Sequence, residues 1–306
     1  MNKQVAIIDL GTNTCNLLIA EYHSDTFRIK YQGKEVVKLG KNAIDKNMLL
    51  EDGLGRAIRA FEKHKEKIDQ SGTTEIIALA TSAVRDAKNR DWFQKKLEES
   101  TGIKLQVISG EEEADYIFCG TKLAFGNIED HALILDIGGG SNEFILTASN
   151  NMAWKRSFPL GMARIIEQIP PSDPITPDEI RKINRYFESR LDELWKRTAN
   201  LSIPTLVGCS GAFDTIADLI DQTDPGTKSR MKQEISLKDF FKVYERLIQS
   251  TTEERVKMKG MESIRIEMIV PAVLFIKLIL EKLNIQKIVQ TDFALREGVL
   301  YKLIFS

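Results

Sequence analysis

Two distant stretches of the sequence share one pattern: an apolar run ends in an acid, a short turn of small residues follows, and a second apolar run begins. The first is VAIIDLGTNTCNLLIAEY (residues 5–22), and the second is ALILDIGGGSNEFILT (residues 132–147). Aligning the two acids also aligns the later positions: Asp9 with Asp136, Gly11 with Gly138, Thr14 with Ser141, and Asn16 with Glu143. This spacing is far longer than that of a solenoid repeat. It predicts two related α/β halves that face each other, each beginning with the same β-hairpin.

The rest of the chain alternates strand and helix signals, which supports an α/β fold class. Residues 51–68 have apolar positions near helical spacing. The sequence Thr176-Pro177-Asp178-Glu179 is typical of a capped helix start, and that helix is expected to run to about residue 200. The sequence KIVQTD predicts a strand before a final helix. A linker near Gly126 predicts domains 1–125 and 126–306, with the final helix able to pack back on the first.

Charge and cysteine content narrow the class of protein. Lys and Arg number 43 against 44 Asp and Glu, so the net charge is −1 and no global basic field attracts nucleic acid or a membrane. A polyanionic substrate would need a local basic channel. The three cysteines form no CxxC pair, no apolar run approaches membrane-spanning length, and the start reads directly into a strand. We therefore expect a cytoplasmic protein with reduced thiols.

The stretch LDIGGGSNEF suggests a phosphate site. Backbone amides at Gly138–Gly140 can approach an anion closely, and Ser141 adds a hydroxyl donor. Asp136 and Glu143 would repel a bare phosphate, but they fit beside a phosphate-bound Mg²⁺. An ordinary β-hairpin with a glycine turn explains this stretch alone equally well. The matching loop at residues 9–14 favours phosphate binding, since packing does not explain the same acid, glycine and hydroxyl register twice.

Other candidates are weaker on sequence alone. Gly208-Cys209-Ser210-Gly211 joins a strand to a helix, so it is a third ligand loop or a plain turn. Arg85 follows a strand end and suits a phosphate, although a surface arginine is the simpler interpretation. The acids of ISGEEEA look like a solvated helix start, yet one of them could polarise water.

Six motifs occur in an order that resembles a known family: IDLGTNT, ATSAVRDA, ISGEEEA, LDIGGGSNE, SFPLGMAR and LREGVL. Together they are similar to the exopolyphosphatase and guanosine pentaphosphate phosphohydrolase family of the actin-like ATPase superfamily. The resemblance implies two ribonuclease-H-like domains across a cleft, in agreement with the repeat. It also implies a homodimer. Compared with longer members of the family, the sequence has no extra carboxy-terminal helical region, and this puts processive action on long chains in doubt.

The resemblance also implies roles for individual residues. Glu113 matches the catalytic glutamate and Arg85 the phosphate-binding arginine, while Asp136 and Glu143 match acids implicated in metal binding and catalysis. The expected phosphate ligands are Asp9, Gly11, Thr12, Asn13, Thr14, Lys38, Gly138, Gly139, Gly140 and Ser141, with Gly208, Ser210 and Gly211 as a third loop. Two positions depart from the usual pattern, Ala212 in the third loop and Glu267, and neither change affects the two hairpin loops or Arg85, which are expected to hold the phosphates.

These features predict a Mg²⁺-dependent phosphohydrolase. Its expected substrate is inorganic polyphosphate, guanosine pentaphosphate, or both, and the sequence does not choose between them. One alternative is a kinase of the same superfamily, for which the sequence offers no acceptor site. A second is a non-catalytic sensor of polyphosphate or of the guanosine alarmone, which would not need Glu113.

Overall fold

The computed structural model describes residues 2–41, 46–128, 131–209 and 211–305. The chain divides into two compact units, Met1–Gly120 with Leu295–Ser306, and Thr121–Ala294. The division falls after Gly120, within a helix, and the final helix of the chain belongs to the first unit. Each unit combines one β-sheet with helices, which confirms the predicted α/β class.

The first unit is built on a five-stranded sheet with the order β3-β2-β1-β4-β5. Its strands are β1 (Lys3–Leu10), β2 (Thr14–His23), β3 (Thr26–Val36), β4 (Glu75–Ala80) and β5 (Leu105–Val107). Its helices are α1 (Glu51–Ser71), α2 (Ser82–Arg85), α3 (Arg90–Thr101), α4 (Gly110–Phe125, which continues into the second unit) and the last helix, α12 (Leu295–Phe305). β1, β4 and β5 run parallel, so their carboxyl ends meet at one edge of the sheet.

The second unit repeats this arrangement and extends it by one strand, with the order β8-β7-β6-β9-β11-β10. Its strands are β6 (Ala132–Ile137), β7 (Asn142–Ala148), β8 (Asn151–Phe158), β9 (Thr205–Cys209), β10 (Gln233–Ile235) and β11 (Lys287–Thr291). Its helices are α5 (Met162–Gln168), α6 (Pro177–Arg190), α7 (Asp192–Thr198), α8 (Gly211–Asp221), α9 (Leu237–Gln249), α10 (Thr252–Val256) and α11 (Ile269–Lys282), with a 3₁₀ turn at Ser263–Arg265. α11 is nearly all buried, because it lies in the middle of the apolar core of this unit.

The two hairpins have the register that the sequence repeat predicts. Asp9 lies opposite Asn16 in the β1–β2 pair, and Asp136 lies opposite Glu143 in the β6–β7 pair. The amide of Gly11 donates to the carbonyl of Thr14 at 2.9 Å, and the amide of Gly138 donates to that of Ser141 at 3.0 Å. The repeat is therefore a repeat of backbone geometry as well as of residue type.

Three local features differ from or refine the sequence-based expectation. β3 and β8 were not predicted, because each lies at an edge of its sheet and carries charged and exposed side chains. The capping box at Thr176 and Glu179 is confirmed. The helix that begins there ends at Arg190, and a separate helix follows Leu191, whose side chain is fully buried. None of the helices in the described ranges has the length and hydrophobicity that crossing a membrane requires.

We expect Gly298→Ala to lower the stability of the first unit. A Cβ at this position of α12 would lie 1.7 Å from the carbonyl oxygen of Tyr116 in α4, so one helix must move. Overpacking of this kind costs about 1–3 kcal/mol, whereas Gly→Ala in an unobstructed helix stabilises by roughly 1 kcal/mol. Thermal unfolding should show a lower midpoint for this variant than for Gly55→Ala in α1, where the added Cβ makes only ordinary contact. Equal midpoints would show that α12 and α4 are not in close contact.

Candidate functional site

The turn between β1 and β2 is fixed from two sides. Its carbonyl groups accept from the segment after β3: the amides of Val37 and Lys38 donate to Asn13 at 2.9 and 3.1 Å, and the amide of Leu39 donates to Thr12 at 2.7 Å. The Thr12 hydroxyl lies 3.0 Å from that of Ser82, at the start of α2. The predicted ligands Gly11, Thr12, Asn13 and Thr14 therefore lie in an ordered turn, with Lys38 beside them.

Lys38 is exposed and has a backbone φ of 42°, in the left-handed region. This conformation is uncommon for a residue other than glycine and costs free energy. Arg56 stabilises it, because its Nε donates to the carbonyl of Val37 at 2.6 Å and its Nη2 donates to that of Lys38 at 2.9 Å. A strained, exposed lysine next to the turn is consistent with its predicted role in binding phosphate.

Asp9 is the penultimate residue of β1, next to this turn. Burial raises the pKa of its carboxyl, and the nearby charge of Glu297 adds to that effect. The charge of Arg296 and a hydrogen bond from Asn16 Nδ2 to Asp9 Oδ2 (3.2 Å) oppose the rise. Asn16 occupies the position that corresponds to Glu143 in the second hairpin. The first unit thus replaces one member of the acidic pair with an amide that binds the remaining acid.

Arg85 and Glu113 form an ion pair in the first unit. Arg85 ends α2, which follows β4, and Glu113 lies in the first turn of α4, which follows β5. Arg85 Nη1 donates to Glu113 Oε2 at 2.7 Å, and both side chains are largely buried. The fold therefore brings together a candidate phosphate ligand and a candidate base that are 28 residues apart in the sequence.

The three acids of α4 have different environments. Glu111 is exposed. Glu112 forms a capping box with Ser109: its carboxylate accepts from the Ser109 amide at 2.8 Å, and its own amide donates to the Ser109 hydroxyl at 3.1 Å. Only Glu113 of the three is buried, with 9% of its surface exposed. Helix capping thus gives a structural reason for the acid at Glu112, but it gives no reason for the buried acid at Glu113.

Gly138–Gly140, which join β6 to β7 and are called the glycine loop below, lie in a closely packed turn. A Cβ at Gly138 would lie 2.6 Å from the carbonyl oxygen of Ser141, so the turn requires glycine there. None of Gly138, Gly139 and Gly140 has a positive φ. The loop therefore does not use the left-handed conformation that glycine permits. Ser141 is buried at the end of the loop.

Two residues that contact this loop were not predicted to have a role. Gly161 packs directly on it, since a Cβ there would lie 2.3 Å from Gly139 and Gly140 backbone atoms. Arg164 donates from Nε to the carbonyl of Gly140 at 2.8 Å. Both residues occur in SFPLGMAR, one of the motifs that carry the family resemblance. The presence of this motif was the signal that could have marked Gly161 and Arg164 from the sequence. Their contacts with the glycine loop, however, are seen only in the folded structure.

Asp136 and Glu143 fit a divalent cation of the Mg²⁺ type. They are directly opposite on neighbouring antiparallel strands, so their side chains leave the same face of the hairpin with Cβ atoms about 5 Å apart. Glu143 is buried and accepts from the Ser157 hydroxyl at 2.7 Å. No cluster of three or more His, Cys, Asp and Glu ligands occurs in the part of the chain that the structure describes. Two carboxylates are what Mg²⁺ uses when phosphate oxygens complete its coordination.

The third predicted loop is partly described. Gly208 packs against the ring of Phe213, where a Cβ would lie 2.1 Å from the ring, so its lack of a side chain already has a packing reason. Gly211 begins α8 with a φ of 48°, and a Cβ there would lie 2.4 Å from Arg265 Nη2. Ser210 lies outside the described residues. This loop remains a candidate from the sequence.

Within each unit the predicted residues gather at the carboxyl ends of parallel strands. In the first unit, the amide of Thr81 after β4 donates to the carbonyl of Leu10 at 3.2 Å, and that of Ile108 after β5 donates to Ala80 at 3.1 Å. In the second unit, Asp136 lies beside Cys209 in the β6–β9 pair. This edge is where open α/β sheets bind ligands.

Comparison with known proteins gives consistent results. A model of the Ppx/GppA phosphatase family matches residues 18–306. The structure is similar to that of an exopolyphosphatase from Cytophaga hutchinsonii, with a TM-score of 0.94, 33% identity, and coverage of 99% of this chain and 98% of that one. This similarity shows the two-domain actin-like ATPase fold that the sequence predicted.

Curated relatives include proteins that extend well beyond the region matched by this chain. A bifunctional 3-dehydroquinate synthase/phosphatase from Fusobacterium nucleatum is 40% identical over 171 residues, which are 53% of this chain and 26% of that protein. A guanosine-5′-triphosphate,3′-diphosphate pyrophosphatase from Pseudoalteromonas atlantica is 26% identical over 300 residues, which are 98% of this chain and 58% of that protein. The matched region therefore spans about a quarter of the bifunctional protein and somewhat over half of the pyrophosphatase.

Proposed function

This chain belongs to the Ppx/GppA phosphatase family, and we propose from that premise that it removes the terminal phosphate of inorganic polyphosphate, of guanosine pentaphosphate, or of both. The observation that carries the proposal is the buried ion pair of Arg85 and Glu113 at the sheet edge that also holds the first hairpin turn. A protein that only binds phosphate gains nothing from a buried carboxylate, because it repels the ligand.

We assign Glu113 as the general base. A water oxygen attacks the terminal phosphorus, the bridging P–O bond breaks, and the leaving phosphate chain keeps the bonding electrons. The water proton passes to Glu113. The ion pair with Arg85 fixes the orientation of this carboxylate.

In this proposal, Arg85 and the amides of the first hairpin turn bind phosphate oxygens in the first unit, and the amides of the second hairpin turn bind phosphate oxygens in the second unit. A guanidinium binds phosphate in a bidentate manner, and fixed donors stabilise charge that develops as the bridging bond breaks. Lys38 adds positive charge beside the first turn. Arg85 and the first turn hold the terminal phosphate in line with the attacking water.

The proposed site also binds a divalent cation, preferably Mg²⁺. Asp136 and Glu143 would hold it, and Ser157 orients Glu143 through its hydroxyl. When bound, the cation offsets negative charge on the phosphate oxygens. The carboxylates themselves fix where on the hairpin that positive charge lies.

The test of function is a phosphate-release panel over short polyphosphate, long polyphosphate and guanosine pentaphosphate, each with and without Mg²⁺. Release from at least one substrate is expected. A kinase of the same superfamily is the alternative enzyme, so phosphate transfer from ATP to a small acceptor is measured in parallel. Transfer without release would favour a kinase, and binding without either reaction would favour a sensor.

We expect excess chelator to abolish turnover and added Mg²⁺ to restore it. The physical reason is the pair of adjacent carboxylates, which would repel the substrate unless a cation lies between them and the phosphate. Asp136→Asn should raise the Mg²⁺ concentration needed for half-maximal rate. Asp239→Asn in α9, a partly exposed acid in a helix cap, serves as the control and should not change this Mg²⁺ concentration. Full turnover in chelator would remove the metal from the mechanism.

The remaining expectations are part of the same proposal. The family resemblance supports a homodimer, and the three widely separated cysteines support a cytoplasmic location with reduced thiols. The balanced net charge of −1 supports the absence of a nucleic-acid or membrane partner. Sedimentation of the purified protein tests the dimer directly.

A further inference from the structure

The carbonyl groups of the glycine loop all face the start of α5. Gly138, Gly139 and Gly140 accept from the amides of Met162 (3.0 Å), Ala163 (2.9 Å) and Gly161 (3.3 Å), respectively. The first amides of a helix have no partner within the helix. Here they bind the loop, so α5 holds it by three successive peptide groups.

Arg164 adds a further bond from the side chain of the same helix. Its Nε donates to the Gly140 carbonyl at 2.8 Å, and only 8% of its surface is exposed. Asn142, which follows the loop, donates from Nδ2 to the carbonyl of Leu160 at 2.9 Å. The loop and the segment that leads into α5 are therefore bound to each other in both directions.

The direction of the carbonyl groups determines the direction of the amides. In a trans peptide, the C=O of one residue and the N–H of the next point in opposite directions. Because the carbonyls of Gly138–Gly140 point toward α5, the amides of Gly139, Gly140 and Ser141 point away from it. Among the described residues, the amides of Gly139 and Gly140 donate to no backbone carbonyl. Successive amides on one side of a turn form an anion-binding nest.

We propose that Arg164 is a positioning residue, which holds the Gly140 carbonyl and so keeps the amides of Gly139 and Gly140 directed toward the substrate phosphate. This inference rests on the proposed function. Arg164 does not contact the phosphate in this account. A buried guanidinium that bonds a loop carbonyl keeps the adjoining amide directed outward, and its loss lets the Gly140–Ser141 peptide rotate.

The test compares Arg164→Met with Arg255→Met. Arg255 is an equally buried arginine of the same unit, 5% exposed, and it donates to the carbonyls of Ser250 (2.6 Å) and Ile266 (3.0 Å), away from the glycine loop. Inorganic tripolyphosphate is the probe. Its affinity is measured by calorimetry, turnover is measured as kcat and KM separately, and folding is measured by thermal unfolding.

Arg164→Met is expected to weaken tripolyphosphate binding and raise KM by about 10- to 100-fold, the usual effect of losing one hydrogen bond to a charged group. Arg255→Met is expected to lower the melting temperature while leaving affinity and KM unchanged. Arg164→Lys keeps the charge but lacks the Nε donor, so its affinity should fall between those of the wild type and Arg164→Met. It also keeps the test valid if Arg164→Met does not fold.

The outcomes separate this inference from the proposed function. If the wild type binds and hydrolyses its substrate and the Arg164 variants match Arg255→Met in affinity and KM, Arg164 has a structural role and the inference is wrong. If the wild type neither binds tripolyphosphate nor releases phosphate from any substrate of the panel, the proposed function fails and the inference fails with it.

Discussion

Replacing Glu113 with glutamine is expected to lower phosphate release by roughly 10²–10⁴-fold, which is the usual contribution of general base catalysis. Glutamine keeps the shape of the side chain but does not accept the proton of the attacking water. Substrate binding should persist or tighten, because a negative charge near the phosphates is removed. The measurement is kcat together with substrate affinity, with thermal unfolding as a check on the fold.

The neighbouring acids provide matched controls. Glu111→Gln changes an exposed side chain, and Glu112→Gln keeps a residue that completes a capping box with Ser109. Both should retain most activity, since a charge at a helix start contributes only about 0.3–1 kcal/mol to stability. Equal, small losses at all three positions would make Glu113 a third helix-start charge and would contradict the hydrolytic mechanism.

Gly161→Ala is expected to reduce phosphate release by about 10²–10³-fold, the effect of losing a donor that stabilises charge in the transition state. The added Cβ would lie 2.3 Å from the carbon and oxygen of Gly139 and from the nitrogen of Gly140. These are backbone atoms, so the clash is relieved only if the loop or α5 moves. Either movement breaks the hydrogen bonds that direct the loop amides.

Affinity and stability measurements separate this effect from general unfolding. Substrate affinity should fall in Gly161→Ala while far-ultraviolet circular dichroism still shows a folded protein. Gly55→Ala in α1, where the Cβ makes only ordinary contact with Arg59, should keep wild-type activity and stability or gain slightly. Wild-type kcat and KM in Gly161→Ala would show that the glycine loop tolerates displacement and does not bind the reacting phosphate.

Local sequence patterns predicted the elements that depend on short-range rules. The two hairpins follow from apolar runs and turn residues, and the start of α6 follows from the capping box at Thr176. The edge strands β3 and β8 were not predicted, since their charged and exposed side chains give no apolar run that marks a strand. The sequence predicted that α6 would run to about residue 200, but the helix ends at Arg190. The prediction was too long because the burial of Leu191 depends on neighbours that are distant in sequence.

The candidate site was also predicted only in part from the sequence. The repeat of acid, glycine and hydroxyl predicted both hairpin turns, and the family motifs marked Arg85 and Glu113 as candidate site residues. The sequence by itself did not separate Glu113 from Glu111 and Glu112 by any physical property. Burial and the contact with Arg85 make that separation, and both depend on how α2 and α4 pack.

The sequence by itself therefore determined the α/β class, the internal repeat and the residue types of the two hairpin turns, because hairpins, turns and helix caps are set by residues close together in the chain. Only the tertiary structure decided which acid is buried beside an arginine and which residues hold the glycine loop. Gly161 and Arg164 lie more than 20 residues from the loop that they contact, and a hydrogen bond or a backbone clash across that separation exists only once the sheet and α5 have packed.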